Sequence, residues 1–183
     1  MNHSLRSDYM NIVVRPLEKR DIEFLRIWRN EPDNSKYLRK IPYISKEQQL
    51  KWFEDYLVDQ NEITFAIEEC DKINQIVGSA SLYNRNGNEI EFGKILIGNK
   101  EAHGKRIGYH ATKVIVAIAF SKFKVQSVNL KCYSENKAAL RIYSLVGFQK
   151  TGQRYISENS IEYNMAITKK QFEELNGECS RLV

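Results

Sequence analysis

Residues Ile90 to Ser121 restrict this chain more than any other stretch, because an alternating segment, a glycine-bearing loop and a long apolar helix follow one another directly. Ile90 and Phe92 alternate with Glu89, Glu91 and Gly93, the two-residue period of a strand with one buried face. The phase then slips: Lys94 falls where the next apolar residue is due, and Ile95 and Ile97 resume one position late. One unpaired residue near Gly93 repairs the slip, so the sequence predicts a β-bulge there and a strand splayed from its neighbour. His103-Gly104-Lys105-Arg106-Ile107-Gly108 comes next, and Ile107, Ala111, Val114, Ile115 and Ile118 then fall at helical spacing. Such a loop offers backbone N–H groups at a helix N-terminus, an arrangement that binds phosphate. A glycine turn before a helix also serves as plain punctuation, so the local pattern leaves both readings open.

A second unit follows: Val128, Leu130 and Cys132 share one face of a strand, and Asn136 opens a helix with Ala139, Ile142, Tyr143 and Val146, closed by Gly147-Phe148. Together, Glu91 to Phe148 resembles the acetyl-CoA-binding core of the GNAT acetyltransferases, in particular the branch with RimJ/RimL-like and amino-sugar enzymes. That family's loop reads Gln or Arg, two residues, Gly, one residue, Gly or Ala. Here His103 and Arg106 depart from it and Gly108 fits. The run Asn136 to Tyr143 followed by Gly147-Phe148 fits closely, and weaker similarity extends from Ile12 to Phe172.

The resemblance implies an α/β fold, a mixed and mostly antiparallel twisted sheet with helices on both faces and a splayed central strand pair that holds acetyl-CoA. It implies direct acetyl transfer to a primary amine, with acetyl-CoA as cosubstrate and no metal. Glu91 is the expected base, acting through a water, and Tyr143 the expected group at the CoA sulfur. Backbone groups of Ile95 and Ile97 are expected to pair with the pantetheine amides, N–H groups of Lys105, Arg106, Ile107 and Gly108 to hold the pyrophosphate, and Asn136 to reach the pantetheine arm. Trp28-Arg29-Asn30 resembles a feature of the amino-sugar enzymes that faces the acceptor; packing alone also accounts for a buried tryptophan there. His103 is expected to face water.

The reference chemistry supports a base. At pH 7 an α-amino group costs about 1.4 kcal/mol to neutralise, and a lysine-like amine about 4.6 kcal/mol. Glu89 shares a strand face with Glu91, and a solvated sheet face explains either residue equally well. A phenol near pKa 10 gives up its proton uphill to a thiolate near 8.5, by about 2 kcal/mol, so Tyr143 is expected to stabilise the thiolate by a hydrogen bond. The expected acceptor is a small molecule such as a nucleotide-linked amino sugar. A protein N-terminus, as for ribosomal-protein acetyltransferases, a polyamine or an aminoglycoside come next. A CoA-binding regulatory module without turnover is the alternative of another class, and the departures at His103 and Arg106 motivate it.

Composition narrows the partners. The 183 residues, 42% hydrophobic and 28% charged, suit one domain with a sizeable core. A formal charge of +5 suits a phosphorylated small molecule, and Lys and Arg are spread without a dense basic block, so no nucleic-acid partner is expected. Cys70, Cys132 and Cys179 show no metal-ligand spacing and cannot all pair within one chain, which suits a reducing cytoplasm. No apolar run reaches membrane-spanning length. A homodimer is the expected assembly.

In chain order, residues 1–10 and 177–183 read as disordered tails around one domain at 11–176. Asn11 to Pro16 reads as a strand, Asp21 to Arg29 as a helix with Phe24, Ile27 and Trp28 on one stripe and Leu25 beside it, and Glu31 to Tyr43 as loop or short turns. Ser45 to Gln48 is a capping box for a helix to Val58 with Leu50, Phe53 and Leu57 inward. Ile63 to Glu69 and Gln75 to Tyr83 are strands, Asn84 to Asn88 a hairpin turn, Gly152 to Arg154 and Ile161 to Ile167 the last strands, and Thr168 to Gln171 caps a terminal helix.

Overall fold

The computed structural model describes residues 5–38, 42–158 and 160–180. Parts of both expected tails, 1–4 and 181–183, lie outside the described residues, as do 39–41 of the expected loop. Strands β1 (Ser7–Tyr9), β2 (Ile12–Pro16), β3 (Glu62–Glu69), β4 (Gln75–Asn86), β5 (Glu89–Ile97), β6 (Ser127–Tyr133), β7 (Gln149–Ser157) and β8 (Ser160–Thr168) form one sheet in the order β1-β2-β3-β4-β5-β6-β8-β7. Neighbours are antiparallel except β5 and β6, which run parallel. The helices are α1 (Ile22–Asn30), α2 (Pro32–Ser35), α3 (Lys46–Val58), α4 (Ile107–Lys122), α5 (Lys137–Val146) and α6 (Lys169–Ser180). None among the described residues is long and apolar enough to cross a membrane.

Alternation along the strands divides the core between the two faces. On β3, Phe65 and Ile67 join the larger cluster with Val114, Ile118, Tyr143, Val146 and Phe172 of α4, α5 and α6. Ala66 between them joins the smaller cluster with Ile22, Leu25 and Trp28 of α1 and Phe53 of α3. On β5, Ile90 and Phe92 face the larger cluster; after the bulge Leu96 belongs to the smaller one, while Ile95 and Ile97 pack on the larger. The phase slip in the sequence is therefore a change of parity: the bulge returns Ile95 and Ile97 to the face that Ile90 and Phe92 cover. Full burial of a side chain such as Phe92 stabilises the fold by roughly 1.5–3 kcal/mol.

Local signals account for the element ends. Ser45 Oγ accepts from Gln48 N at 3.2 Å and Gln48 Oε1 accepts from Ser45 N at 2.8 Å, the reciprocal capping box. Thr168 and Gln171 repeat it at α6. Gly147, at φ +110°, ends α5 by donating to Tyr143 and Ser144 carbonyls.

Three expectations require correction. Ser7–Tyr9 is a strand paired with β2, not tail, because Leu5, Ser7 and Tyr9 are buried. At the other end α6 runs to Ser180, past the expected boundary at 176, with non-helical backbone at Asn176. The expected loop or short turns do include the one-turn α2, with Pro32 in its first turn, where its missing N–H costs nothing. The inward stripes are also displaced: Leu25 and Trp28 are buried on α1 while Phe24 and Ile27 are exposed, and Gln49 and Phe53 are buried on α3 while Leu50 and Leu57 are exposed. On α1 the rotation follows from Trp28, whose indole lies flat on Gly98; a Cβ there would stand 2.1 Å from its Cγ.

Candidate active site

The parallel pair β5–β6 opens almost as soon as it forms. Pairing covers Glu89↔Ser127, Ile90↔Val128 and Glu91↔Asn129 only, after which β5 continues to Ile97 and β6 to Tyr133 without meeting. The other edge of β5 supplies the cause. Ser81 pairs with Gly93 and Ser79 with Leu96, so one extra residue is inserted, and Lys94 takes φ +54°. An opening of this kind leaves strand backbone on both sides able to accept an extended chain carrying amides.

Glu91 is the last residue of β5 before the opening, on the face toward α1 and α3. Its Oε1 accepts from Asn84 Nδ2 at 3.4 Å and lies 3.9 Å from Lys131 Nζ. Glu91 lines a cleft of about 410 Å³ with Glu89, Lys131, Thr151 and the amides of Asn84, Asn86, Asn129 and Asn164. Glu89 accepts from Asn129 Nδ2 at 3.0 Å.

Tyr143 approaches from the opposite face. Its ring meets Phe92 edge-on at 6.2 Å between centroids and Phe148 at 5.9 Å. The residue is buried, and burial, followed by Cys132 and Tyr83, pushes its phenol well above the usual tyrosine range. The hydroxyl makes no hydrogen bond among the described residues. The nearby Cys132 thiol is likewise raised, to about 11, by burial and then Glu162.

Tyr83 went unnoticed in the sequence, where it is one more strand aromatic. It pairs directly with Glu91 across β4–β5, and its ring crosses diagonally to Gly93. Burial, then Glu91, Glu62 and Glu162, pushes its phenol up to about 12.

The loop before α4 turns through two left-handed residues. Gly104 takes φ +76° and Arg106, the N-cap, takes φ +59°. Arg106 thus occupies the left-handed region that favours glycine, at a cost of order 1–2 kcal/mol. A Cβ at Gly108 would press Ile142 Cδ1 at 3.3 Å and touch Ile97 Cγ1 at 3.6 Å, so this glycine lets α4 close against α5 and β5. His103 is exposed, yet its Nε2 lies 2.8 Å from the Ile97 carbonyl, so that carbonyl keeps one lone pair for a ligand. Asn136 caps α5, its Oδ1 accepting from Ala139 N at 3.2 Å.

Trp28, Arg29 and Asn30 stand apart from the cleft lining. Trp28 is buried on Gly98, and Asn30 clamps Ile44, donating to its carbonyl at 2.9 Å and accepting from its N–H at 2.8 Å. Arg29 is half-buried. Among the described residues no cluster of His, Cys, Asp or Glu is arranged to hold a metal.

A family model described as an acetyltransferase (GNAT) domain matches residues 11–149. An uncharacterised protein of Methanocaldococcus jannaschii is 28% identical over 159 residues, 84% of this chain; the chain spans only 31% of that relative's length. Acetyltransferase PseH of Campylobacter jejuni is 27% identical over 127 residues, 69% of this chain and 76% of that protein. The solved spermidine N-acetyltransferase of Vibrio cholerae, in complex with CoA and spermine, superposes with a TM-score of 0.78 at 20% identity, over 88% of this chain and 98% of that one. At that identity the likeness concerns the fold.

Proposed function

This chain belongs to the GNAT acetyltransferase family, and from that premise we propose that it transfers the acetyl group of acetyl-CoA directly to the primary amine of a small molecule. One observation carries the reading: Glu91 and Tyr143 flank, from opposite faces, the point where β5 parts from β6. Acetyl-CoA supplies the activated carbonyl. Backbone groups of Ile95 and Ile97 hold its pantetheine, Asn136 stands by that arm, and N–H groups from Lys105 to Gly108 hold its pyrophosphate. Glu91, directly or through a water, takes the proton of the arriving ammonium. The freed nitrogen attacks the thioester carbon, the C–S bond breaks, and the Tyr143 hydroxyl hydrogen-bonds the departing sulfur, which leaves as the thiol with the second amine proton. General-base help of this sort is worth about 10²- to 10⁴-fold in rate.

For the acceptor we favour an amino sugar carried on a nucleotide. The cleft beside Glu91 is lined by four asparagine amides, a threonine hydroxyl and Lys131, groups suited to sugar hydroxyls and to an anionic tail. Trp28, Arg29 and Asn30 serve this reading as the frame of the acceptor wall, Asn30 by fixing Ile44. A polyamine is the second reading, supported by the carboxylates of Glu62, Glu91 and Glu162 gathered around Tyr83 and by the spermidine enzyme of similar fold. Cytoplasmic location and a homodimer belong to the same proposal; α1 and α3 leave Phe24, Ile27, Leu50 and Leu57 exposed.

Isothermal titration with acetyl-CoA, followed by thiol release with amino sugars, peptides and polyamines, tests the proposal. Binding with release on an amino sugar supports it in full, and release on spermidine alone moves the acceptor to the second reading. Binding with no release on any acceptor favours a regulatory module.

A further inference from the structure

The position of Tyr83 relative to Gly93 goes beyond the base and the thiol-side hydroxyl. A Cβ built on Gly93 would stand 2.6 Å from Tyr83 Oη, 3.2 Å from Cε1 and 3.3 Å from Cζ. The phenol therefore fills the space a side chain at position 93 would take, on the same face as Glu91 and one residue before the bulge. Alternation sets this geometry: Glu91 and Gly93 are two residues apart on β5, about 7 Å, and point the same way. Lys94 Nζ lies 4.9 Å from the centroid of the same ring and pairs with Glu62, so a cation and a carboxylate stand beside the phenol. The Tyr83 hydroxyl itself makes no hydrogen bond among the described residues.

Resting on the reading of Glu91 as base, we propose that Tyr83 positions the acceptor amine, its hydroxyl oxygen accepting a hydrogen bond from the nitrogen that Glu91 deprotonates. Gly93 exists to admit that ring. Once Glu91 has taken its proton, the nitrogen carries a single lone pair, and while it still donates to the phenol it turns that pair from Glu91 toward the opening of β5 from β6, where the thioester carbonyl is held. The phenol remains neutral throughout; the proton that moves is the amine's, and it goes to Glu91. Tyr83 thus contributes orientation, not acid–base exchange. Loss of one hydrogen bond to a charged or charging group corresponds to about a 10- to 100-fold loss in kcat/KM.

The test compares Tyr83→Phe, Gly93→Ala and the double variant in the full chain. Tyr83→Phe is expected to lower kcat/KM for the acceptor by about 10- to 100-fold, mainly through KM, with acetyl-CoA affinity by titration within about twofold of the parent. Gly93→Ala displaces the ring and is expected to lose a similar factor alone but little further in the Tyr83→Phe background, since the hydroxyl it displaces is already gone. Full activity of Tyr83→Phe, or independent losses that multiply in the double variant, overturns the proposal. A readout free of turnover separates this from the wider reading: the ¹³Cζ resonance of Tyr83, assigned by its loss in Tyr83→Phe, during titration with glucosamine, a uridine-diphosphate-linked amino sugar and spermidine. A shift with at least one amine is expected. If the parent releases no thiol and the resonance still shifts, Tyr83 holds an amine and the catalytic reading fails; if no amine moves it, the Tyr83 proposal fails.

Discussion

The Tyr37 hydroxyl donates to the Glu135 carbonyl at 3.1 Å, joining the segment after α2 to the turn that precedes α5. These residues stand 98 apart in sequence, and the bond ties the connection between α1 and α3 to the far side of the β5–β6 opening. Asn136, the cap of α5, is the next residue, so the tie also bears on the end of the opening where the pantetheine arm is proposed to lie. Tyr37→Phe is expected to raise the acceptor KM about 3- to 10-fold while costing at most about 1 kcal/mol of stability, because the bond is exposed. Steady-state kinetics against the acceptor, beside a thermal melt, read both quantities.

Arg106 supplies a prediction in which backbone and side chain separate. At φ +59° the residue pays for a left-handed backbone that glycine adopts freely. Arg106→Gly is therefore expected to be about 1 kcal/mol more stable than Arg106→Ala, which keeps the strain and loses the guanidinium. If the guanidinium contributes to phosphate binding, both variants lose acetyl-CoA affinity equally; if only the loop shape matters, Arg106→Gly binds at least as tightly as the parent. Chemical denaturation and acetyl-CoA titration of the two variants decide between these.

Arg106 also marks the limit of what the sequence carries. Its difference from the family loop is visible in one dimension, but the sign of φ is not. The β5 bulge was legible because Lys94 breaks a two-residue period, and a phase slip has one local remedy. Capping boxes at Ser45 and Thr168 were legible because both partners lie within three residues. By contrast, Ser7-Asp8-Tyr9 carries too short an apolar pattern to announce a strand, and its pairing depends on β2. The buried side of α1 was misread because Leu25 with Trp28 and Phe24 with Trp28 are competing stripes, and Gly98, 70 residues away, decides between them. Tyr83 escaped notice for the same reason: its chemistry comes from Glu91 and Gly93 on the next strand, and register is not written in periodicity.

Glu69 predicts how the fold responds to acid. It is buried beside the β3–β4 turn, where desolvation alone would raise its pKa. Hydrogen bonds from the N–H groups of Ile73, Lys72 and Asp71 and from Asn11 Nδ2 outweigh that and hold it at about 2, against an ordinary 4.5. A carboxylate with a depressed folded-state pKa adds stability that is complete above its unfolded value and is lost as pH falls through the folded one. Stability should therefore decline between about pH 4.5 and pH 2 in part through this residue. Glu69→Gln is expected to cost about 1.5–3 kcal/mol at neutral pH and to flatten that decline. Urea midpoints measured across the acid range check both effects; an unchanged acid slope removes Glu69 as its source.

Tyr143 gives the sharpest division between stability and turnover. Its ring is fixed by Phe92 and Phe148, and the residue as a whole is buried. Tyr143→Phe keeps the ring and its packing and removes a hydroxyl that holds no other element in place, so stability should change by less than about 1 kcal/mol. If the hydroxyl hydrogen-bonds the leaving sulfur, kcat should fall roughly 10²-fold, since that bond strengthens only as charge develops. Acetyl-CoA affinity should stay nearly constant, because the pantetheine and pyrophosphate contacts are untouched. Burial raises the phenol pKa well above the ordinary range, so Tyr143 remains protonated through the working range and should not itself set an alkaline limb. An alkaline limb of kcat that vanishes in Tyr143→Phe would contradict that assignment, and an unchanged kcat would take Tyr143 out of the mechanism.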